Sequence, residues 1–288
     1  TGRTARRYQN LMTAPRHLSH PGPRNPSRYT ATPCLAHPVS LRLRAGMTFD
    51  QAVTAAFAEA GFDAGYVTLK DARFAHLAYV IPGKAPGDGR AAWYCSVPAL
   101  DDATVSLAGL HLGQRSGTAV QHCHGLWSAA DGRSRMGHML LSDSTLADTT
   151  IAEGWGLQGA ALHVLQDPET GFDLFAPVKT KTVEKPNAVL STLRPNEDPH
   201  AVLEEIAAQA GIRTGVLAGV GSLVDTHFTA GTLESYATEM LIRSGQLDNG
   251  AAELSVASVG FDAVPRCGSL ARGANRICIT AEILMIGS

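Results

Sequence analysis

Two alanine-rich amphipathic stretches interrupt a chain that otherwise reads as short apolar runs in strand-like alternation. The first opens on Thr48-Phe49-Asp50-Gln51 and closes at Ala60-Gly61-Phe62, and the second opens on Asp198-Pro199 and closes at Ala210-Gly211-Ile212. Each predicts a helix with its own start and stop: Thr48 with Gln51 as a capping box, Asp198 with proline in the first turn, and a glycine after each last turn. Val202, Leu203, Ile206 and Ala210 recur at helical spacing in the second, which marks a core face. Leu43-Arg44 precedes the first helix and Gly65-Tyr66-Val67 follows it. Leu193-Arg194 and Gly215-Val216-Leu217 stand in the same places around the second, 150 residues on. The pattern predicts two copies of one strand-helix-strand unit.

Strand-like runs follow the first helix at 74–81, 91–97, 103–112, 119–127, 137–141, 149–157, 160–166 and 172–176. After the second they lie at 223–230, 237–243, 252–260 and 276–285. Runs at this spacing behind a single helix indicate an α+β fold, a curved and mainly antiparallel sheet with a helix packed on one face. Residues 1–36, rich in proline and arginine, read as an arm with His20-Pro21-Gly22-Pro23 as a rigid turn. The predicted domains are 37–182 and 183–288, joined near the charged segment 179–186 that ends in proline.

One cluster carries candidate chemistry. His122-Cys123-His124 lies in a predicted strand, so the two imidazoles share a face about 6–7 Å apart, and Met136-Gly137-His138 returns a third histidine beside them. Asp131-Gly132 supplies the turn residues that such a hairpin needs. Three histidines leave a coordination position open for water or substrate, as catalytic metal sites do, whereas structural zinc sites fill all four. Cys123 points to the other face and reads as a small buried residue.

Composition narrows the partners. A net charge of -2 over 288 residues, with 44% hydrophobic and 6% aromatic residues, describes a globular chain long enough for two cores. It lacks the basic excess of a phosphate-binding surface, so nucleic acid is not the expected partner. Only Arg3, Arg6, Arg7 and Arg16 form a local basic excess, and they read as a solvated tail; Met12 is a candidate natural start. Five scattered cysteines without a C-x-x-C pair argue for a reducing compartment, and no apolar stretch approaches a membrane span. A cytoplasmic location with no membrane partner is expected. Gly211 to Gly221 runs from helix into strand, the reverse of a nucleotide-binding loop, and Gly-x-Ser-x-Gly is missing.

The run 211–223, Gly-Ile-Arg-Thr-Gly-Val-Leu-Ala-Gly-Val-Gly-Ser-Leu behind a capped helix, resembles the opening of the plant and prokaryote conserved (PPC) domain. The run from Gln121-His122-Cys123-His124 to Gly137-His138, with Thr150-Ile151-Ala152-Glu153 after it, is similar to that domain's metal-binding hairpin and following strand. The resemblance covers about residues 38–288 as two tandem copies. It implies an α+β fold, a homo-oligomer with trimers favoured, and Zn2+ as in the bacterial members; in plants the domain accompanies DNA-binding AT-hooks. This chain has no Arg-Gly-Arg-Pro core of that kind.

The copies diverge. A shift of 131 residues puts Glu253 and Ser255 where His122 and His124 stand, so the second copy lacks the triad, while Thr280-Ala281-Glu282 matches Ile151-Ala152-Glu153 only with a two-residue gap. We expect one metal site per chain, with the second copy as scaffold or as one wall. Glu153 is the candidate acid or base beside a metal-bound water. Lys70 replaces a small residue of the second copy and is a candidate to hold a substrate carboxylate or phosphate. Tyr79 and His76 on the next strand are candidates to join it, and His20 and Arg24 to cap the pocket from the arm. The leading expectation is a zinc-dependent enzyme, a lyase, hydrolase or isomerase, acting on a small oxygenated, carboxylate-bearing metabolite. The alternatives are a DNA-binding or regulatory protein and a metal or ligand sensor.

Overall fold

The structure is a computed structural model that describes residues 15–288. Arg3, Arg6, Arg7 and Met12 lie outside the described residues. The elements in chain order are β1 (Tyr29–Leu43), α1 (Phe49–Glu59), β2 (Gly65–Leu77), β3 (Tyr79–Gly83), β4 (Trp93–Ser96), β5 (Leu100–Arg115), β6 (Thr118–Ser128), β7 (Ser134–Met139), β8 (Thr145–Leu146), β9 (Thr150–Gln158), β10 (Ala160–Gln166) and β11 (Asp173–Lys179). They continue with β12 (Ala188–Leu193), α2 (Pro199–Ala210), β13 (Gly215–Val224), β14 (Thr226–Phe228), β15 (Gly231–Leu233), β16 (Thr238–Asp248), β17 (Ala251–Val259), β18 (Arg266–Ser269) and β19 (Arg276–Gly287). The pairing is antiparallel apart from a short parallel contact of β10 with β5. Among the described residues no helix is long and apolar enough to cross a membrane.

The neighbour order β1-β9-β2-β5-β6-β7 recurs as β12-β19-β13-β16-β17-β18. Register corrects one detail of the expected correspondence. Gly65 faces Gly156, and Gly215 faces Gly287, so the two last strands correspond without the two-residue gap and Glu282 matches Ile151 rather than Glu153.

Helix α1 places Phe49, Val53 and Phe57 in the first core, with Phe74, Leu77, Leu110 and Trp127 from the strands. Helix α2 gives Val202, Leu203 and Ile206 to the second, beside Met240, Val256 and Ile283. The second helix starts and stops as predicted: the Asp198 carboxylate accepts from the Ala201 backbone N–H at 3.0 Å, and Gly211 takes the left-handed conformation. The first does not use its predicted capping box. The Thr48 hydroxyl turns to the Asp50 carboxylate and caps no backbone N–H.

The predicted arm ends earlier than residue 36, because strand β1 begins at Tyr29. Its first half pairs with β12, from Tyr29 opposite Leu193 to Cys34 opposite Ala188, and its second half pairs with β9, from Leu35 opposite Gln158 to Leu43 opposite Thr150. One strand therefore belongs to both sheets and crosses the predicted boundary. The segment before it is pinned by Arg28, which reaches Glu169 at 2.9 Å and Glu197 at 2.7 Å, and by paired hydrogen bonds between Asn196 and the Leu18 backbone.

Candidate metal centre

Strand alternation puts His122 and His124 on one face of β6, and the hairpin register sets His138 on β7 directly across from His124. The turn is closed by a hydrogen bond from the Gly132 N–H to the Ala129 carbonyl at 2.9 Å, with Gly132 at positive φ. Cys123 is buried in the first core, on the opposite face. One nitrogen from each of the three imidazoles lies within 4.8 Å of the others.

The second sheet closes over this cluster. His122 Nδ1 lies 2.9 Å from Glu282 Oε2 of β19, and His124 Nδ1 lies 2.9 Å from the Met240 carbonyl of β16. Both Nε2 atoms then point at each other, 3.0 Å apart, and Glu239 Oε2 sits 2.8 Å from His124 Nε2. A metal-bound histidine commonly donates its second ring N–H to a carboxylate or carbonyl, and His122 and His124 have those partners. His138 Nδ1 is buried without a partner. These positions fit a divalent metal: two imidazoles pre-oriented from behind and a third with an unspent nitrogen.

The electrostatics differ from one imidazole to the next. Burial, with His122 and His124 close by, holds the His138 imidazole well below its ordinary range and therefore neutral, the form that ligates metal. Burial is the largest influence on His124 and pulls it down, but Glu239, the Met240 carbonyl and Glu282 together outweigh it, so the net direction is upward, toward the protonated form. Burial pushes the Glu282 carboxyl up, and the facing histidines, His122 foremost, outweigh it and hold it below the usual range.

The cluster opens on a cavity of about 540 Å³ between the two sheets, whose lining includes His122, His138, Glu239, Glu282, Arg90 and Arg115. Tyr94 is 40% exposed as a residue, yet burial of its hydroxyl end beside Glu239 and Glu282 pushes that hydroxyl well above its ordinary value.

Four of the six other sequence candidates are placed away from the triad by their strands, and the segment before β1 leads His20 and Arg24 elsewhere. Glu153 accepts a hydrogen bond from the Ser40 hydroxyl at 2.8 Å and lines a different cavity of about 820 Å³, together with Lys70. Residues Ile151 and Glu153 share a face of β9 that turns to that second cavity, so neither Glu153 nor Lys70 reaches the histidines. His76 is exposed and pairs with Asp101 at 2.8 Å. Tyr79 faces Met139 across β3–β7, one step from the Val80–His138 pair, and so its ring packs in the core, 4.9 Å from Trp127. His20 is packed near Glu169 and Asp167, where burial lowers its pKa, and Arg24 pairs with Glu197 at 2.9 Å; neither lines the triad's cavity.

Sequence reasoning passed over Glu239, Tyr94, Arg90 and Arg115, and gave Glu282 no role at the metal. A signal existed for the two acids: each stands directly before a run of three large apolar residues, Glu239 before Met240-Leu241-Ile242 and Glu282 before Ile283-Leu284-Met285, where an unpaired buried carboxylate would be costly.

No protein-family model and no curated protein sequence matches the chain. Among solved structures, it is similar to a metal-containing protein of Archaeoglobus fulgidus, at 18% identity over 49% of this chain and 94% of that one, with a TM-score of 0.38. A plant- and prokaryote-conserved (PPC) protein of Pyrococcus horikoshii aligns at 12% identity, 51% and 96% coverage and a TM-score of 0.36. A protein of Ralstonia eutropha JMP134, provisionally named DNA-binding, aligns at 14% identity, 52% and 96% coverage and a TM-score of 0.35. At these scores the likeness assigns the chain neither a family nor a function.

Proposed function

We propose that this chain is a tandem PPC-like protein that binds one zinc ion at His122, His124 and His138 and acts on a small oxygenated, carboxylate-bearing molecule in the adjoining cavity. The observation that carries this reading is the meeting of three imidazoles from one sheet with two buried carboxylates from the other at the end of a cavity. The repeated strand order and the shared hairpin register support the tandem part.

Zinc bound there would polarise a carbonyl or lower the pKa of a water. The protein's own groups divide the remaining work. Glu282 and the Met240 carbonyl fix the orientation of His122 and His124. Glu239, rather than Glu153, is the carboxylate placed to hold or pass a proton, since its Oε2 lies beside His124 Nε2 at the cavity wall. Arg90 and Arg115 offer guanidinium donors to a substrate anion.

Elemental analysis tests the reading. The full chain should hold about one zinc, and a His122→Ala/His124→Ala double variant should hold none; unchanged content in the variant rejects the site. An anisotropy titration with duplex DNA addresses the competing role. Binding there should be weak at physiological salt, and submicromolar affinity would favour the DNA-binding alternative.

A further inference from the structure

The cavity wall leading away from the histidines is aromatic. The Tyr94 ring lies 5.2 Å from His138, Trp93 lies 6.1 Å from Tyr94, and Phe172 stacks on Trp93 at 5.4 Å with an interplanar angle of 28°. On the other side, Phe175 lies 6.4 Å from His122. The chain is only 6% aromatic, so four such residues lining one cavity are a concentration.

Two of them are also exposed. Trp93 and Tyr94, each 40% exposed, are the aromatic members of the exposed large hydrophobics among the described residues. Both stand on β4, a short strand paired on one side by β3 and exposed along its length. Holding a tryptophan and a tyrosine in water forgoes the favourable burial of large rings, and grouped exposed aromatics mark a binding surface.

The charge at that end is specific. Arg90 lies over the Trp93 ring, 3.7 Å from the centroid, and is paired with Asp88, so its guanidinium is held against that ring where it lines the cavity. Stacking and the ion pair use part of the fork, and its planar geometry matches a carboxylate. The cavity thus has a ligating end at His122 and His138, a middle of aromatic faces, and a guanidinium at the far end.

From this order we infer that the ligand of this cavity is an oxygenated aromatic acid: a planar ring against Tyr94 and Trp93, a carboxylate on Arg90, and a hydroxyl or carbonyl oxygen directed to the histidines. The inference rests on the proposed metal site for its oxygen end, but its ring and carboxylate contacts do not need the metal. An aliphatic acid of the same charge would leave the aromatic wall wet, and an aromatic amine would meet Arg90 with the wrong sign.

The test is calorimetric titration of the full chain, with and without one equivalent of zinc, using 4-hydroxybenzoate, phenol, propionate and benzylamine as probes. We expect 4-hydroxybenzoate to bind at least tenfold more tightly than propionate or benzylamine. Trp93→Leu should weaken it at least tenfold, and Arg90→Gln should weaken it while leaving phenol binding unchanged. Zinc content should be the same in both variants. Propionate or benzylamine binding as tightly as 4-hydroxybenzoate, or no change in Trp93→Leu, overturns the inference. Zinc content is read separately, so a chain that holds one zinc but does not prefer the aromatic acid rejects only this inference. A chain that prefers the aromatic acid yet holds no zinc rejects only the metal site.

Discussion

In the first sheet His124 sits across from His138 and Gly125 across from Gly137; in the second, Ser255 sits across from Ser269 and Val256 across from Gly268. The two hairpins keep one register and carry opposite chemistry. The first faces a sheet that supplies Glu239 and Glu282, so its polar groups are buried with partners. Glu253 and Ser269 of the second are exposed. Backbone pairing fixes where side chains point, while docking of another sheet decides whether a titratable cluster there becomes a site.

The sharpest way to challenge that comparison is to transplant the triad. A Glu253→His/Ser255→His/Ser269→His variant should raise bound zinc from one to two equivalents, the second held more weakly because no carboxylates back its imidazoles. Elemental analysis at one equivalent, with folding unchanged by circular dichroism, would mean that the hairpins are not geometrically equivalent.

A smaller effect separates the glycines. A Cβ on Gly137 would lie 2.3 Å from the Val80 carbonyl oxygen, and backbone cannot easily yield; a Cβ on Gly268 would meet the Phe228 ring at 3.0 Å. Gly137→Ala should cost about 1–3 kcal/mol in urea unfolding and reduce zinc affinity by moving His138. Gly268→Ala should stay within about 1 kcal/mol of the parent. Equal costs would remove the distinction.

A further probe is pH. His111, on β5, is buried at the junction, donating from Nε2 to the Glu282 carbonyl at 3.0 Å while its Nδ1 has no partner. Burial lowers its pKa to about 4. The unfolded chain, titrating near pH 6.5 at this residue, binds a proton that the folded chain refuses, so its contribution is full above about pH 6.5 and declines as pH falls toward 4, by on the order of 3 kcal/mol. His111→Gln keeps a donor and removes the titration. Urea midpoints across that window should therefore fall less steeply in the variant, and an identical slope would place the acid sensitivity elsewhere.

What could be read in advance follows the range of the interaction. The positions of the two helices, the Asp198 cap and the His122–His124–His138 hairpin follow from local periodicity and turn chemistry and fold as read, whereas the Thr48–Gln51 box does not form and Ala210, expected on the core face, is exposed. The long strand β1 was hidden by Pro33 and Pro38, residues that demote a strand reading because they donate nothing to the ladder. The sequence candidates Glu153 and Lys70 lie beside one another in space but in another cavity, because neighbouring strands can present their side chains away from the triad. Glu239 and Glu282 belong to the site only through the docking of the two sheets, a contact that spans 160 residues between His122 and Glu282; the local pattern marks each as a carboxylate beside an apolar run but not its partner.

Strand β1 has a consequence for fragments and for folding order. Its first half has β12 as partner and its second half has β9, so cutting the chain between the two sheets would strip Tyr29–Cys34 of its ladder and leave a bare edge beside the first sheet. Such an edge invites pairing with other chains, and a fragment covering only the first half should aggregate rather than behave as a domain. In the intact chain the same strand must wait for the residues of β12, Ala188 to Leu193, to be synthesised before its N-terminal half is paired, which makes that pairing a late and slow event during folding.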